Sequence, residues 1–214
     1  LEMWDYTRFG VGNVDMTPDW PTIESYLELF DRTTPSNVCP QVPHCAVRLE
    51  VMGWDARPAT PDELAKMANI TREWMEAGAC AINLGLDYQP TANADFKEMV
   101  TLCQVAAEYD GVYAAHIRYH TIGREAAWRE TVELSHAAGI PVHISHERVD
   151  NESAALLDEI DRNGDDLTFE SYLYSAGMTH MTMMLPMALP AARPTSTIFN
   201  TPSIWNAPLD CIVA

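Results

Sequence analysis

Lysine is almost missing from this sequence: only Lys66 and Lys97 occur in 214 residues, and 13 Lys and Arg face 31 Asp and Glu for a formal charge of −18. Such a surface repels phosphate backbones and anionic headgroups, so neither nucleic acid nor a membrane surface is an expected partner. Salt would screen its self-repulsion, and adaptation to salt is expected. No apolar run approaches the roughly 18 residues of a membrane span. The opening LEMWDYTRFG lacks a basic region followed by an apolar one, so no export signal is read there. With 10 Gly and 14 Pro the chain is neither collagen-like nor of low complexity, and 47 % hydrophobic residues suit a globular core. No GxGxxG, Walker loop or GxSxG is present, which argues against nucleotide folds and serine hydrolases. The five Cys form no CxxC pair. Cys39, Cys45, Cys80 and Cys103 lie in or beside apolar segments, so reduced buried thiols and a cytoplasmic location are expected rather than disulfides or a zinc knuckle.

What is present is a rhythm. Apolar or β-branched runs recur at NVCPQV (near 38), ACAINLG (near 80), VYAAHI (near 113), PVHISH (near 142) and LTFESY (near 168), separated by stretches with helical spacing. Thr60, Pro61 and Glu63 read as an N-cap, a Pro at N1 and a capping-box Glu, ahead of Leu64, Met67 and Trp74. A second helix is expected from near Asn93 to Gly111, a third from about Gly123 to Gly139, and a fourth from an Asn151 cap to Gly164. Trp20 to Arg32 adds an amphipathic stretch. Helix, glycine and strand in repetition are the signature of a parallel sheet. A closed eight-stranded barrel needs about 250 residues. The chain is therefore expected to be either a smaller doubly wound sheet or most of a barrel, and its first residue, Leu1, suggests an excerpt of something longer. The stretch after Pro190 loses the rhythm and reads as an irregular tail, 191–214.

In parallel α/β folds chemistry gathers at the carboxyl ends of the strands. His116 ends VYAAHI and His146 ends PVHISH, so two successive strands deliver an imidazole to one edge. Neutral imidazole is a common metal ligand, yet single histidines more often hydrogen-bond a loop, and the residues by themselves leave both readings open. His143 falls on the opposite strand face from His146 and is expected under a helix. His120 is close enough to His116 to border the same cleft. The Met-rich MTHMTMMLPM (178–187) is expected to fill core gaps rather than hold Cu(I). Tyr172 and Tyr174 alternate onto one face at the end of the fifth strand, where they line a pocket or bond across its rim.

With these positions in place, the span 37–186 resembles the N-acyl-D-amino-acid deacylase (D-aminoacylase) branch of the amidohydrolases. The motifs are VMGWDARPATPDELAKM (51–67), EAGACAINLGLDYQP (76–90), AAEYDGVYAAHIR (106–118), AGIPVHISH (138–146) and FESYLYSAG (169–177). The resemblance implies a metal-dependent (β/α)₈ TIM barrel, incomplete here, with five consecutive inner βα units in a domain spanning 1–190. It implies that His116 and His146 ligate Zn²⁺, one ion or two, and that Tyr88, Arg148 and Tyr172 lie beside the substrate. That substrate would be an N-acylated amino acid or a related amide or cyclic imide. The family's His-x-His pair, its cysteine ligand and its catalytic Asp have no counterpart that can be located in this chain, so no catalytic residue is assigned. Tyr119 and His120 replace a common acidic pair, and Glu147 and Arg148 replace an apolar residue and Lys, departures that touch specificity for D-amino acids more than metal chemistry. The alternative expectation is an inactive barrel that serves as a binding or assembly subunit.

Overall fold

The computed structural model of the protein describes residues 19, 20, 22–147 and 150–171. Among these, five strands alternate with helices: α1 (Ile23–Glu28), β1 (Gln41–Pro43), α2 (His44–Met52), α3 (Pro61–Glu76), β2 (Ala81–Gly85), α4 (Phe96–Ala107), β3 (Val112–His116), α5 (Tyr119–Ile122), α6 (Arg124–Ala138), β4 (Val142–Ile144), α7 (Asn151–Asn163) and β5 (Leu167–Phe169). No helix among the described residues is long and apolar enough to cross a membrane.

All five strands are parallel, and their order in the sheet is their order in the chain. This decides between the two architectures. A doubly wound sheet reverses its strand order at a switch point, whereas here every strand lies beside its successor, an order in which right-handed connections stack their long helices on one side. Accordingly α3 packs on α4 and α4 on α6, as in the outer ring of a βα barrel.

The two faces of the sheet differ in chemistry. Register aligns Val42, Ile82, Tyr113 and Val142, and one step on Leu84, Ala115 and Ile144. All seven are buried and share one core with Met67, Met99, Leu102, Trp128 and Leu134 of the helices. The opposite face carries Gln41, Asn83, Gly85, Ala114, His116, His143 and Thr168. It is a polar row: Asn83 Nδ2 donates to Gln41 Oε1 at 2.8 Å, and His143 Nδ1 meets Thr168 Oγ1 at 2.8 Å.

Helix boundaries follow capping chemistry. Thr60 and Glu63 close the expected box around α3, and Arg57 clamps Glu63 from outside at 2.7 and 2.8 Å. Asn93 does not begin α4. It ends a 3₁₀ turn (Thr91–Asn93), and Asp95 caps the helix by accepting from the Glu98 N–H at 2.8 Å. The cap of α7, by contrast, lies one residue earlier than expected, Asp150 accepting from the Ser153 N–H at 3.1 Å. After α4 the chain turns so tightly that a Cβ on Gly111 would lie 2.8 Å from the Ala106 carbonyl oxygen, which leaves glycine as the workable residue there.

One helix was not foreseen, and one expectation is corrected. Helix α2 carries no sequence signal of its own, because Pro43 stands at its N-cap without a side-chain bond and its buried face includes His44 and Arg48. Those side chains are paired across to α4: His44 Nε2 meets Glu98 Oε1 at 2.8 Å and Arg48 Nη1 donates to Glu98 Oε2, all three residues being buried. Burial would raise the Glu98 carboxyl, but the bonds from His44 and Arg48 outweigh it and hold it below its ordinary range. The corrected expectation concerns cysteine. Cys39 and Cys80 are exposed and joined as a disulfide, with Cα atoms 6.1 Å apart, because parallel β1 and β2 start side by side although the two residues are 41 positions apart. Cys103 does carry a buried thiol, raised far above its usual range by desolvation, and burial pushes the Cys45 thiol up to about 11.

Candidate metal centre

His116 is the last residue of β3, on the polar face, and is 7 % exposed. Its register partner on β2 is Gly85. The missing side chain there makes room for Tyr88: a Cβ on Gly85 would stand 3.1 Å from Tyr88 Cδ2. The Tyr88 ring thereby comes to 4.8 Å from the His116 ring, centroid to centroid, and Tyr119 lies 5.4 Å away.

His146 arrives by an irregular route. Val142 and Ile144 face the helices, and simple alternation would send His146 the same way, away from His116. The strand stops at Ile144 instead. Ser145 N–H still donates to Ala115 O at 2.8 Å, after which His146 takes a positive φ of 44°. That conformation is uncommon for a non-glycine residue, and it turns the ring onto the polar side. Glu170, just past β5, holds the turn: its Oε1 accepts from the His146 N–H at 2.7 Å, its backbone O from the Glu147 N–H at 2.8 Å, and its Oε2 meets His143 Nε2.

The result is that His116 Nδ1 and His146 Nε2 stand 2.5 Å apart, with ring centroids separated by 4.7 Å. Burial first, and His116 second, push the His146 imidazole below its ordinary range, while Glu170 pulls the other way. A neutral imidazole is the form that ligates a metal. Two ring nitrogens this close either share one N–H or point two lone pairs at the same spot, and a cation between them suits the second arrangement. On its other edge, His116 Nε2 is buried with no hydrogen-bond partner among the described residues, and Asp87 Oδ2 is 3.4 Å away. The donor set therefore fits a metal as far as it goes. Among the described residues no group of three or more His, Cys, Asp or Glu assembles around one point.

Of the residues expected at the site, the structure brings together His116, His146 and Tyr88. Arg148 and Tyr172 lie outside the described residues. His120 borders the site through its backbone N–H, which donates to Asp87 Oδ2 at 3.2 Å. His143 is not under a helix. It lies on the polar face between Thr168 and Glu170, because Val142 and Ile144 take the helix side. Sequence reasoning passed over Asp87 and Glu170, although each is a carboxylate just past the end of a strand, the place where a barrel gathers its functional groups.

No family model matches the chain. It is 32 % identical over 164 residues to a D-aminoacylase of Alcaligenes xylosoxydans xylosoxydans, covering 72 % of this chain and 34 % of that protein. Its fold superposes on the D-aminoacylase crystal structure that defines a novel subset of amidohydrolases, with a TM-score of 0.67 at 28 % identity, over 75 % of this chain and 38 % of that one. The chain belongs to the N-acyl-D-amino-acid deacylase family. A second family member, the N-acyl-D-glutamate deacylase of Bordetella bronchiseptica, is 30 % identical with a TM-score of 0.67, over 77 % of this chain and 38 % of that one. It was solved with zinc and a phosphonate that mimics the tetrahedral intermediate. The chain spans about a third of the length of the curated deacylase it matches, so what it has in common with the family is a run of consecutive barrel units.

Proposed function

We propose that this chain is part of a zinc-dependent deacylase that hydrolyses the amide of N-acyl amino acids, and that His116 and His146 are two of its metal ligands. The observation that carries this is the convergence of His116 Nδ1 and His146 Nε2 at the carboxyl edge of two successive strands. His116 and His146 would hold zinc there, and the ion would supply a Lewis acid for an amide carbonyl and activate water near neutral pH. The net reaction consumes one water and releases a carboxylic acid and a free amine.

The chain's own groups do the positioning. Gly85 and Tyr88 wall one side of His116, and the aromatic ring keeps bulk water from the imidazole face. Glu170 fixes the turn that presents His146. Arg148 and Tyr172 belong to this reading as substrate contacts, a guanidinium being able to take a substrate carboxylate with two parallel bonds. The proteins matched are deacylases, and nothing among the described residues favours a non-catalytic barrel instead.

The test is zinc stoichiometry by elemental analysis after dialysis, on the full-length protein. The parent is expected to retain zinc and to hydrolyse N-acyl-D-amino acids, and a His116→Ala, His146→Ala double variant to lose both. Stoichiometric zinc in the double variant would remove the ligand assignment.

A further inference from the structure

Asp87 lies two residues beyond β2, and its side chain is 1 % exposed. One oxygen, Oδ1, accepts from the Thr121 hydroxyl at 2.8 Å. The other, Oδ2, accepts from the His120 N–H at 3.2 Å and faces His116 Nε2 at 3.4 Å. Both bonded partners come from α5, the same turn whose Tyr119 ring flanks His116. The carboxylate is thus held from behind and aimed at the one nitrogen of His116 that has no hydrogen-bond partner among the described residues.

A neutral imidazole carries a single N–H, on Nδ1 or on Nε2, and the group facing the ring decides which. An ionised carboxylate only accepts. Beside Nε2 it favours the proton there, which leaves the lone pair on Nδ1, the nitrogen that points at His146. We infer that Asp87 is a positioning residue: it holds His116 in the Nε2–H tautomer and aims the Nδ1 lone pair into the metal site. This rests on the reading of His116 as a ligand and deepens it. A carboxylate behind a metal-bound histidine raises the basicity of the ligand and locks its orientation. Here the carboxylate comes from the neighbouring strand's loop and is itself tied to α5, so the Thr121 and His120 contacts bear on a metal ligand they do not touch.

The first measurement needs no variant. Long-range proton–nitrogen correlation spectra of the full-length, histidine-labelled, metal-free protein report the tautomer of His116 directly. The Nε2–H form is expected, and a dominant Nδ1–H form would overturn the proposal. Zinc competition against a chromophoric chelator then compares variants. Asp87→Asn is expected to weaken zinc about 10- to 100-fold and to mix the tautomers, because an amide can donate as well as accept. Thr121→Val removes one bond to the carboxylate but leaves the acceptor in place, and should stay within about threefold of the parent while keeping the Nε2–H form. Asp87→Asn with parental zinc affinity, alongside a His116→Ala variant that loses zinc, would overturn the positioning role and leave the ligand reading standing. Parental zinc affinity in His116→Ala would overturn both.

Discussion

His146 meets His116 across a change of sheet face: by register its strand neighbours Val142 and Ile144 point to the helices, yet its Nε2 lies 2.5 Å from His116 Nδ1. The left-handed turn at His146, φ 44°, makes the crossing. Positive φ on a non-glycine residue costs on the order of 1 kcal/mol, and the Glu170 carboxylate offsets it by taking the His146 N–H.

If Glu170 holds this turn, removing it should relax the presentation of His146. Glu170→Ala is expected to weaken zinc binding by about tenfold and to lower stability by about 1 kcal/mol. Glu170→Gln, whose amide oxygen can still accept from the His146 N–H, should recover most of the affinity. Chelator competition and urea unfolding on the two variants check this, and equal zinc affinity in all three proteins would disconnect Glu170 from the site.

Gly85 supports Tyr88 by absence. In Gly85→Ala the new methyl meets the Tyr88 ring at 3.1 Å, and since that ring already lies against His116 it must shift within a crowded space. Overpacking of this kind costs about 1–3 kcal/mol. The expected readout is a lower melting temperature, with KM for an N-acyl amino acid raised more than kcat is lowered. An unchanged KM would separate Tyr88 from the substrate.

The buried Glu98 cluster should behave as a unit. Glu98→Gln leaves Arg48 as a buried charge without its carboxylate, an error worth about 3–5 kcal/mol. The folded-state carboxyl is held below its usual range, so its contribution is complete above the unfolded value, near pH 4.3. It fades as the pH falls through the depressed folded value. The stability gap between parent and Glu98→Gln should therefore narrow below about pH 4. A gap constant with pH, measured by denaturant unfolding, would contradict the assignment.

A chain with a formal charge of −18 and two lysines should gain from screening. The melting temperature is expected to rise between low salt and molar KCl, where the Debye length falls to about 3 Å. An unchanged midpoint would remove salt adaptation from the account.

Much of the fold was legible because it is local. The capping box at Thr60 and Glu63, the glycines that end helices, and the apolar runs between them are decided by contacts a few residues apart, and α3, α4, α6 and α7 form within a few residues of where the pattern places them. Strand-end position also singled out His116 and His146 correctly as neighbours. Alternation went wrong for His143 and would have gone wrong for the facing of His146, because it assumes a strand that continues, and β4 is three residues long.

The amino-acid sequence by itself determined the βα rhythm, the parallel sheet and the edge at which chemistry-bearing residues gather. Tertiary structure decided the rest. Consecutive strand order chose the barrel over the doubly wound sheet, since strand neighbours are selected by packing between units and not within them. Register brought Cys39 to Cys80, His44 and Arg48 to Glu98, and Asp87 to His116, pairs separated by 29 to 54 positions along the chain. Such pairs leave no periodic trace, because each depends on how two strands or two helices are set side by side.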